Sequence, residues 1–262
     1  MKYLACDLDG TLVQHDNTIK EEDINAILKL KEEGHKFIIS TGRSLEGIHK
    51  IFNEYPEIKY DYIVACNGSI IIDSNDNVIY DNYIGNEVAE EVFRDFIGEE
   101  DICVHFEHEG SNYLIEPEDF SGIEHLMDYF KGVISKEDVF SEKRNYSIIS
   151  LFAKNMNINK AEEAKELLIK KYGHALEAFR NQYFVDIAPK DCSKGNGLKK
   201  LLELNKLDIE KLYAIGDSYN DLSMFKLTKN SFTFHHVEEE LKGYANNHVS
   251  SVSECIEMMI EK

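Results

Sequence analysis

Asp7 and Asp9 stand two residues apart in the segment Asp7-Leu8-Asp9-Gly10-Thr11, and Asp217 and Asp221 stand four apart in Gly216-Asp217-Ser218-Tyr219-Asn220-Asp221. A carboxylate can attack phosphorus and hold the phosphoryl group covalently. A second carboxylate two residues on can protonate the leaving oxygen and later take a proton from water. Several carboxylates at one point repel one another and stay ionised only with a cation among them. Hard oxygen donors suit Mg²⁺, which takes one or two carboxylates together with water and substrate phosphate. No cluster of His or Cys competes for a softer metal. Lys194 can neutralise a phosphate or the nucleophile as a point charge. An isolated Asp-x-Asp is more often a solvated turn, so the reading depends on whether the fold gathers these residues.

The elements that must gather them follow from periodicity. Tyr3–Cys6 is a short apolar run that predicts a buried strand ending at Asp7. Thr18 and Glu21 have the spacing of a capping box, followed by Ile24, Ile27 and Leu28 on one helical face and by Gly34 as a stop. Phe37–Ile39 predicts a second strand, ending in Ser40-Thr41-Gly42-Arg43, with Ser44 capping the next helix. Tyr62–Cys66 predicts a third strand, ending in Asn67-Gly68. This alternation is that of a parallel sheet with crossover helices. Two apolar runs around Ser74–Asn77 predict a hairpin. Residues 85–182 change character: helical segments at 86–98, 121–131 and 160–172 mix with strand-like runs at Ile102–Phe106, Tyr113–Ile115 and Ile148–Phe152. After 183 the α/β rhythm returns, with strands at Phe184–Ala188, Leu212–Ile215 and Ser231–Phe234 and a helix behind Ser193. The expected fold is therefore α/β, a Rossmann-like parallel-sheet core from 1–84 and 183–262, interrupted by an inserted α+β domain at 85–182. Loops leaving the strand ends of such a sheet meet at one edge, where ligands bind. That edge collects Asp7, Asp9, Thr41, Arg43, Asn67, Asp217, Asn220 and Asp221, with Lys194 opening the helix just before the strand at 212.

Composition narrows the function class. The 262 residues carry 29 Lys+Arg against 49 Asp+Glu, a net charge of −20, which repels a nucleic-acid backbone. An acidic protein that takes an anionic substrate must neutralise it locally, as a divalent cation and a lysine would. The five cysteines are scattered and form no Cys-x-x-Cys pair, so neither a disulfide framework nor a zinc site is expected. No run approaches the ~18 apolar residues of a membrane span, and the N-terminus lacks a signal peptide's apolar stretch; the expected location is cytoplasmic, with no membrane, nucleic-acid or protein partner. His105 and His108 fall on a strand and loop and read as exposed or hydrogen-bonded histidines; His235 and His236 read as loop histidines that could titrate near the site. Gly195 and Gly197 make no dinucleotide fingerprint, and no Walker loop is present.

Asp7-Leu8-Asp9-Gly10-Thr11, Ser40-Thr41-Gly42-Arg43, Ser193-Lys194-Gly195 and Gly216–Asp221 resemble the four motifs of the haloacid dehalogenase-like superfamily. Cys66-Asn67-Gly68-Ser69, Val185–Pro189 and the inserted middle domain resemble its Cof-type branch with a type IIB cap. The resemblance implies a Mg²⁺-dependent phosphatase of small phosphorylated metabolites, sugar phosphates foremost. It makes Asp7 the nucleophile and a metal ligand, and Asp9 the general acid/base that also gives the metal its backbone carbonyl. Asp217 ligates the metal, with Asp221 beside it. Gly10, Thr41, Gly42, Arg43, Lys194 and Asn220 hold phosphate or substrate. One departure stands out: Phe234-His235-His236-Val237 occupies the place where related chains often have Gly-Asn-Ala. Pyridoxal, flavin or nucleotide phosphates stay open as substrates. So does a phosphomutase that returns the phosphoryl group to a sugar, and a non-catalytic binder would lack Asp7 or Asp9.

Overall fold

The computed structural model describes residues 1–14 and 16–261, and of His125 the backbone alone. The chain opens with β1 (Tyr3–Cys6), α1 (Glu21–Glu32), β2 (Lys36–Ser40), α2 (Leu45–Glu54), β3 (Tyr62–Ala65), β4 (Ile70–Asp73) and β5 (Val78–Asp81). The middle holds α3 (Asn86–Phe96), β6 (Ile102–His108), β7 (Ser111–Ile115), β8 (Gly132–Ile134), α4 (Asp138–Ser141), β9 (Ile149–Ala153), α5 (Ile158–Tyr172), β10 (Leu176–Asn181) and β11 (Phe184–Pro189). The last stretch holds α6 (Lys194–Leu204), β12 (Leu212–Ile215), α7 (Leu222–Phe225), β13 (Asn230–Phe234), α8 (Glu239–Lys242), β14 (Asn247–Val249) and α9 (Val252–Glu261). Two compact units result. One comprises Met1–Gly42, His49–Tyr80 and Ser193–Lys262; the other comprises Arg43–Ile48 and Asp81–Cys192.

The first unit is built on an eight-stranded sheet in the order β14-β13-β12-β1-β2-β3-β4-β5. Strands β14 to β3 run parallel, and β4 turns back antiparallel to β3. Tyr3, Ala5, Ile38, Val64, Leu212 and Ala214 face Leu198, Leu201 and Leu202 of α6. The alternate residues Leu4, Phe37, Ile39 and Ile63 are buried as well. A parallel sheet covered on both faces needs apolar residues at successive positions, and that explains why its strands read as continuous apolar runs. Each fully buried Leu or Ile contributes about 1.5–3 kcal/mol.

The second unit is built on a six-stranded sheet in the order β10-β11-β9-β6-β7-β8, antiparallel except for β7 with β8. Val92, Phe93 and Phe96 of α3 and Ala161, Ala164 and Leu168 of α5 pack on Val104, Phe106, Leu151, Val185 and Ile187. The opposite face carries Cys103, Leu114 and Phe152 under Ile123, Leu126, Met127 and Phe130.

Four expectations from sequence are corrected. Phe184–Pro189, read with the core, pairs antiparallel with β9 and β10 and belongs to the second sheet. A buried apolar run looks the same in either sheet, and only its partners reveal the difference. The helix expected at 121–131 is a 3₁₀ segment at Glu124–Tyr129. The Thr18–Glu21 capping box does not form: the Thr18 hydroxyl donates to Asp16 at 2.6 Å, and α1 starts behind Lys20 with no side-chain cap. His105 is neither exposed nor hydrogen-bonded. It is buried, both ring nitrogens lack a partner, and Tyr129, Phe130, Phe152 and Phe184 surround it. Desolvation holds its pKa down at about 3, so the ring is neutral.

Candidate active site

Strand order reverses between β1 and β12: β2 and β3 continue on one side, β13 and β14 on the other. Crevices form where crossover connections diverge from such a switch point. Asp7 leaves β1 and Asp217 follows β12 at this point. The Asp7 N–H donates to the Ile215 carbonyl at 3.0 Å, extending the ladder one step past the strand and fixing the start of the acidic loop.

Asp7, Asp217 and Asp221 each offer an oxygen within 4.8 Å of the other two, and among the described residues they form the acidic cluster able to hold a metal. Lys194 reaches into it from the first turn of α6, whose N-cap Ser193 accepts the Asn196 N–H at 3.1 Å. Its ammonium donates to Asp7 Oδ1 at 2.6 Å, to Asp221 Oδ1 at 2.6 Å and to Asn220 Oδ1 at 3.2 Å. Lys194 is 1% exposed, Asp7 3% and Asp221 0%, so these charges act where water screens them little. The other oxygen of Asp221 accepts the N–H groups of Asp217 and Ser218 at 3.0 and 2.9 Å. Asp221 therefore shapes the loop that presents Asp217. Thr11 donates to Asp217 Oδ1 at 2.9 Å and ties the two acidic loops together.

Two glycines make room for this packing. A Cβ on Gly10 would lie 2.4 Å from Asp217 Oδ2, and its φ of +81° disfavours any side chain. A Cβ on Gly216 would lie 2.4 Å from the Asp221 carboxylate.

The electrostatics state what the cluster lacks. Burial raises the Asp7 carboxyl well above the usual carboxylate range; Asp221 adds to the rise and Lys194 opposes it. Burial and then Asp221 push Asp217 up to about 6, against the Thr11 hydrogen bond and Lys194. Burial pulls the Lys194 ammonium down, but Asp221 and Asp7 outweigh it and the net shift is upward. Three carboxylates face one ammonium, so full ionisation would leave an excess of two negative charges, which the raised Asp7 and Asp217 carboxyls resist unless a cation joins them. A divalent cation with a preference for hard oxygen donors matches that excess in charge and donor type.

The residues expected at the site are placed as follows. Asp7, Lys194, Asp217, Asn220 and Asp221 come together. The Asp9 carboxylate is not part of the three-membered acidic cluster. Thr41 is buried at the end of β2, where its N–H donates to the Val64 carbonyl and its carbonyl accepts the Asn67 N–H. Gly42 ends the first unit's second strand loop, and Arg43 groups with the second unit. His235 and His236 follow β13, with the His236 ring stacked on Phe234 at 5.1 Å. Sequence reading overlooked the roles of Thr11 and Ser218. Small hydroxyl residues flanking acidic turns are the only signal, and such residues are common in turns of every kind.

A family model described as haloacid dehalogenase-like hydrolase matches residues 4–255. The chain is 27% identical over 266 aligned residues to the 5-amino-6-(5-phospho-D-ribitylamino)uracil phosphatase YwtE of Bacillus subtilis, spanning 92% of this chain and 90% of that protein. Among solved structures, a haloacid dehalogenase-like hydrolase from B. subtilis superposes with a TM-score of 0.82 at 20% identity, covering 99% of both chains. The subclass IIB sugar phosphatase BT4131 superposes with a TM-score of 0.79 at 20% identity, covering 100% of this chain and 98% of that one. These superpositions establish a shared fold. Among the described residues, no helix is long and apolar enough to cross a membrane.

Proposed function

The chain belongs to the haloacid dehalogenase-like hydrolases and is a phosphatase of phosphoric monoesters, and from that premise we propose that it hydrolyses small phosphorylated metabolites, sugar phosphates foremost, through a phosphoryl group carried on Asp7. One observation supports this most: Asp7 is held at the switch point of the sheet by Lys194 at 2.6 Å, within 4.8 Å of Asp217 and Asp221.

An Asp7 oxygen attacks phosphorus, an Asp7–O–P bond forms, and the ester P–O bond breaks. Asp9 gives its proton to the departing alkoxide oxygen. In the second half, water attacks the same phosphorus while Asp9 takes its proton, and the Asp7–O–P bond breaks to return the carboxylate. Lys194 holds Asp7 oriented and balances the phosphoryl charge. Thr41, with Gly10 and Gly42, donates to the phosphoryl oxygens, and Arg43 and Asn220 lie toward the substrate. Asp7, Asp217 and the Asp9 backbone carbonyl, with Asp221 adjoining, are the residues that would hold Mg²⁺. When bound, the cation neutralises the cluster and lowers the repulsion between the nucleophile and the phosphate.

The test is phosphate release from a panel of sugar phosphates, pyridoxal, flavin and nucleotide phosphates and the phosphoribitylaminouracil acted on by the B. subtilis relative. Wild type and Asp7→Asn are compared with Mg²⁺ and with EDTA. Release that needs Mg²⁺ and falls at least about 10³-fold in Asp7→Asn is expected. Isomer formation without phosphate release would replace hydrolysis by a mutase reaction, and undiminished release in Asp7→Asn would remove Asp7 as nucleophile.

A further inference from the structure

The first turn of α6 carries Lys194 and Gly195, and a helix has no partners of its own for the N–H groups of its first turn. The Ser193 hydroxyl accepts the Asn196 N–H at 3.1 Å, and the Ser193 carbonyl accepts the Gly197 N–H at 2.8 Å. The Gly195 N–H goes elsewhere: it donates to the Ser223 hydroxyl of α7 at 2.9 Å. Ser223 thus caps α6 from a different helix, and its hydroxyl also faces the Asn220 carbonyl at 3.5 Å. The approach is close, since a Cβ on Gly195 would lie 2.2 Å from the Ser223 carbonyl oxygen. On another flank a Cβ on Gly68 would lie 2.3 Å from the Ser193 carbonyl oxygen. Backbone therefore crowds the turn on two flanks, and all of these residues belong to the first unit.

Gly195 directly follows Lys194, and Ser223 stands two residues after Asp221. The bond between Gly195 and Ser223 therefore joins, next to the charges themselves, the two segments that supply the Lys194–Asp221 ion pair. The Lys194 ammonium must reach Asp7, Asn220 and Asp221 together from a buried stem. Few staggered rotamers satisfy all three contacts, so the side chain has little freedom to absorb a shift of its backbone. We propose that Ser223, acting through the Gly195 N–H, is a positioning residue that sets where the Lys194 ammonium meets Asp7. This rests on the reading that Lys194 holds Asp7 oriented for attack on phosphorus. Ser223 acts on placement alone, where an error of about 1 Å can cost on the order of 10²-fold.

The experiment measures kcat/Km with Mg²⁺ for the panel ester that the wild-type chain hydrolyses fastest. The variants are Ser223→Ala, Ser223→Thr, Lys194→Met and the Ser223→Ala/Lys194→Met double variant, each assayed below its melting transition. Ser223→Ala is expected to lose about tenfold, and Ser223→Thr, which keeps the hydroxyl, to restore most of the rate. In the Lys194→Met background the Ser223→Ala change should cost nothing further, because no ammonium is left to place; residues that act in series are non-additive in this way. Should Ser223→Ala fail to fold, Ser223→Cys, whose sulfur is only a weak acceptor, takes its place in the cycle with the same expectation of sign. Losses that add in the double variant, or a Ser223→Ala chain as fast as wild type, would overturn the proposal and leave Ser223 a helix cap alone. A Lys194→Met chain as fast as wild type, or a wild-type chain that releases no phosphate, would sink the underlying reading first.

Discussion

Lys194 holds the acidic cluster together at the scale of single residues. It contacts Asp7, Asn220 and Asp221 at once and is buried with them. Replacing it by Met keeps the length of the side chain and removes the charge. Breaking a buried ion pair by deleting one partner costs about 3–5 kcal/mol, because the remaining carboxylates lose their compensation. Lys194→Met is therefore expected to melt at a markedly lower temperature in EDTA and to regain part of that loss in millimolar Mg²⁺. Turnover should fall about 10²-fold or more. Equal melting of the variant with and without the cation would count against the acidic cluster as its binding site.

The β6–β7 hairpin makes a prediction at the scale of an element. Glu107 is 3% exposed on β6, and burial, aided by the Glu109 carboxylate and opposed by the Gly110 N–H, pushes its carboxyl up to about 7. Its ordinary value is 4.5. Between these two values the unfolded chain has lost its proton while the folded chain keeps it. Folding is then favoured less as pH rises, and the loss is complete above about 7, on the order of 1–3 kcal/mol. Glu107→Gln keeps an acceptor for the Gly110 N–H and cannot ionise. It is expected to melt higher than wild type at pH 8, with the difference vanishing toward pH 4. A difference independent of pH would mean that the carboxyl titrates normally in the folded chain.

The whole molecule carries a net charge of −20. A phosphate ester dianion approaches that surface against a repulsive field, with attraction confined to the neighbourhood of Lys194 and a bound cation. Screening weakens the long-range repulsion more than the buried contacts. At saturating Mg²⁺, kcat/Km for a doubly charged ester should therefore rise severalfold as KCl increases from about 0.02 to 0.2 M. A neutral-bodied ester with a single charge should respond less. A steep fall with salt would show that the local positive field governs capture.

The sequence by itself determined the reactive groups and the alternation that gathers them. Asp7, Lys194, Asp217 and Asp221 are legible because few spacings put carboxylates directly after apolar runs, and a parallel sheet brings such strand ends to one edge. The α1, α2, α3 and α5 helices are legible from their periodic faces. Only the tertiary structure decided which sheet Phe184–Pro189 joins, since an apolar run does not show its partners, here β10 just before it (Asn181 opposite Phe184) and β9 far earlier in the chain (Ser150 opposite Asp186). It also decided that Thr18 bonds Asp16 in place of a capping box, that His105 sits neutral among aromatic rings, and that Arg43–Ile48 is held by a hairpin far along the chain. For His105 and Arg43–Ile48 long-range packing and desolvation outweighed local preference, whereas at Thr18 a competing local turn, with both the Thr18 N–H and hydroxyl donating to Asp16, displaced the capping box. The roles of Gly10 and Gly216 became readable only once the carboxylates packed against them were in place.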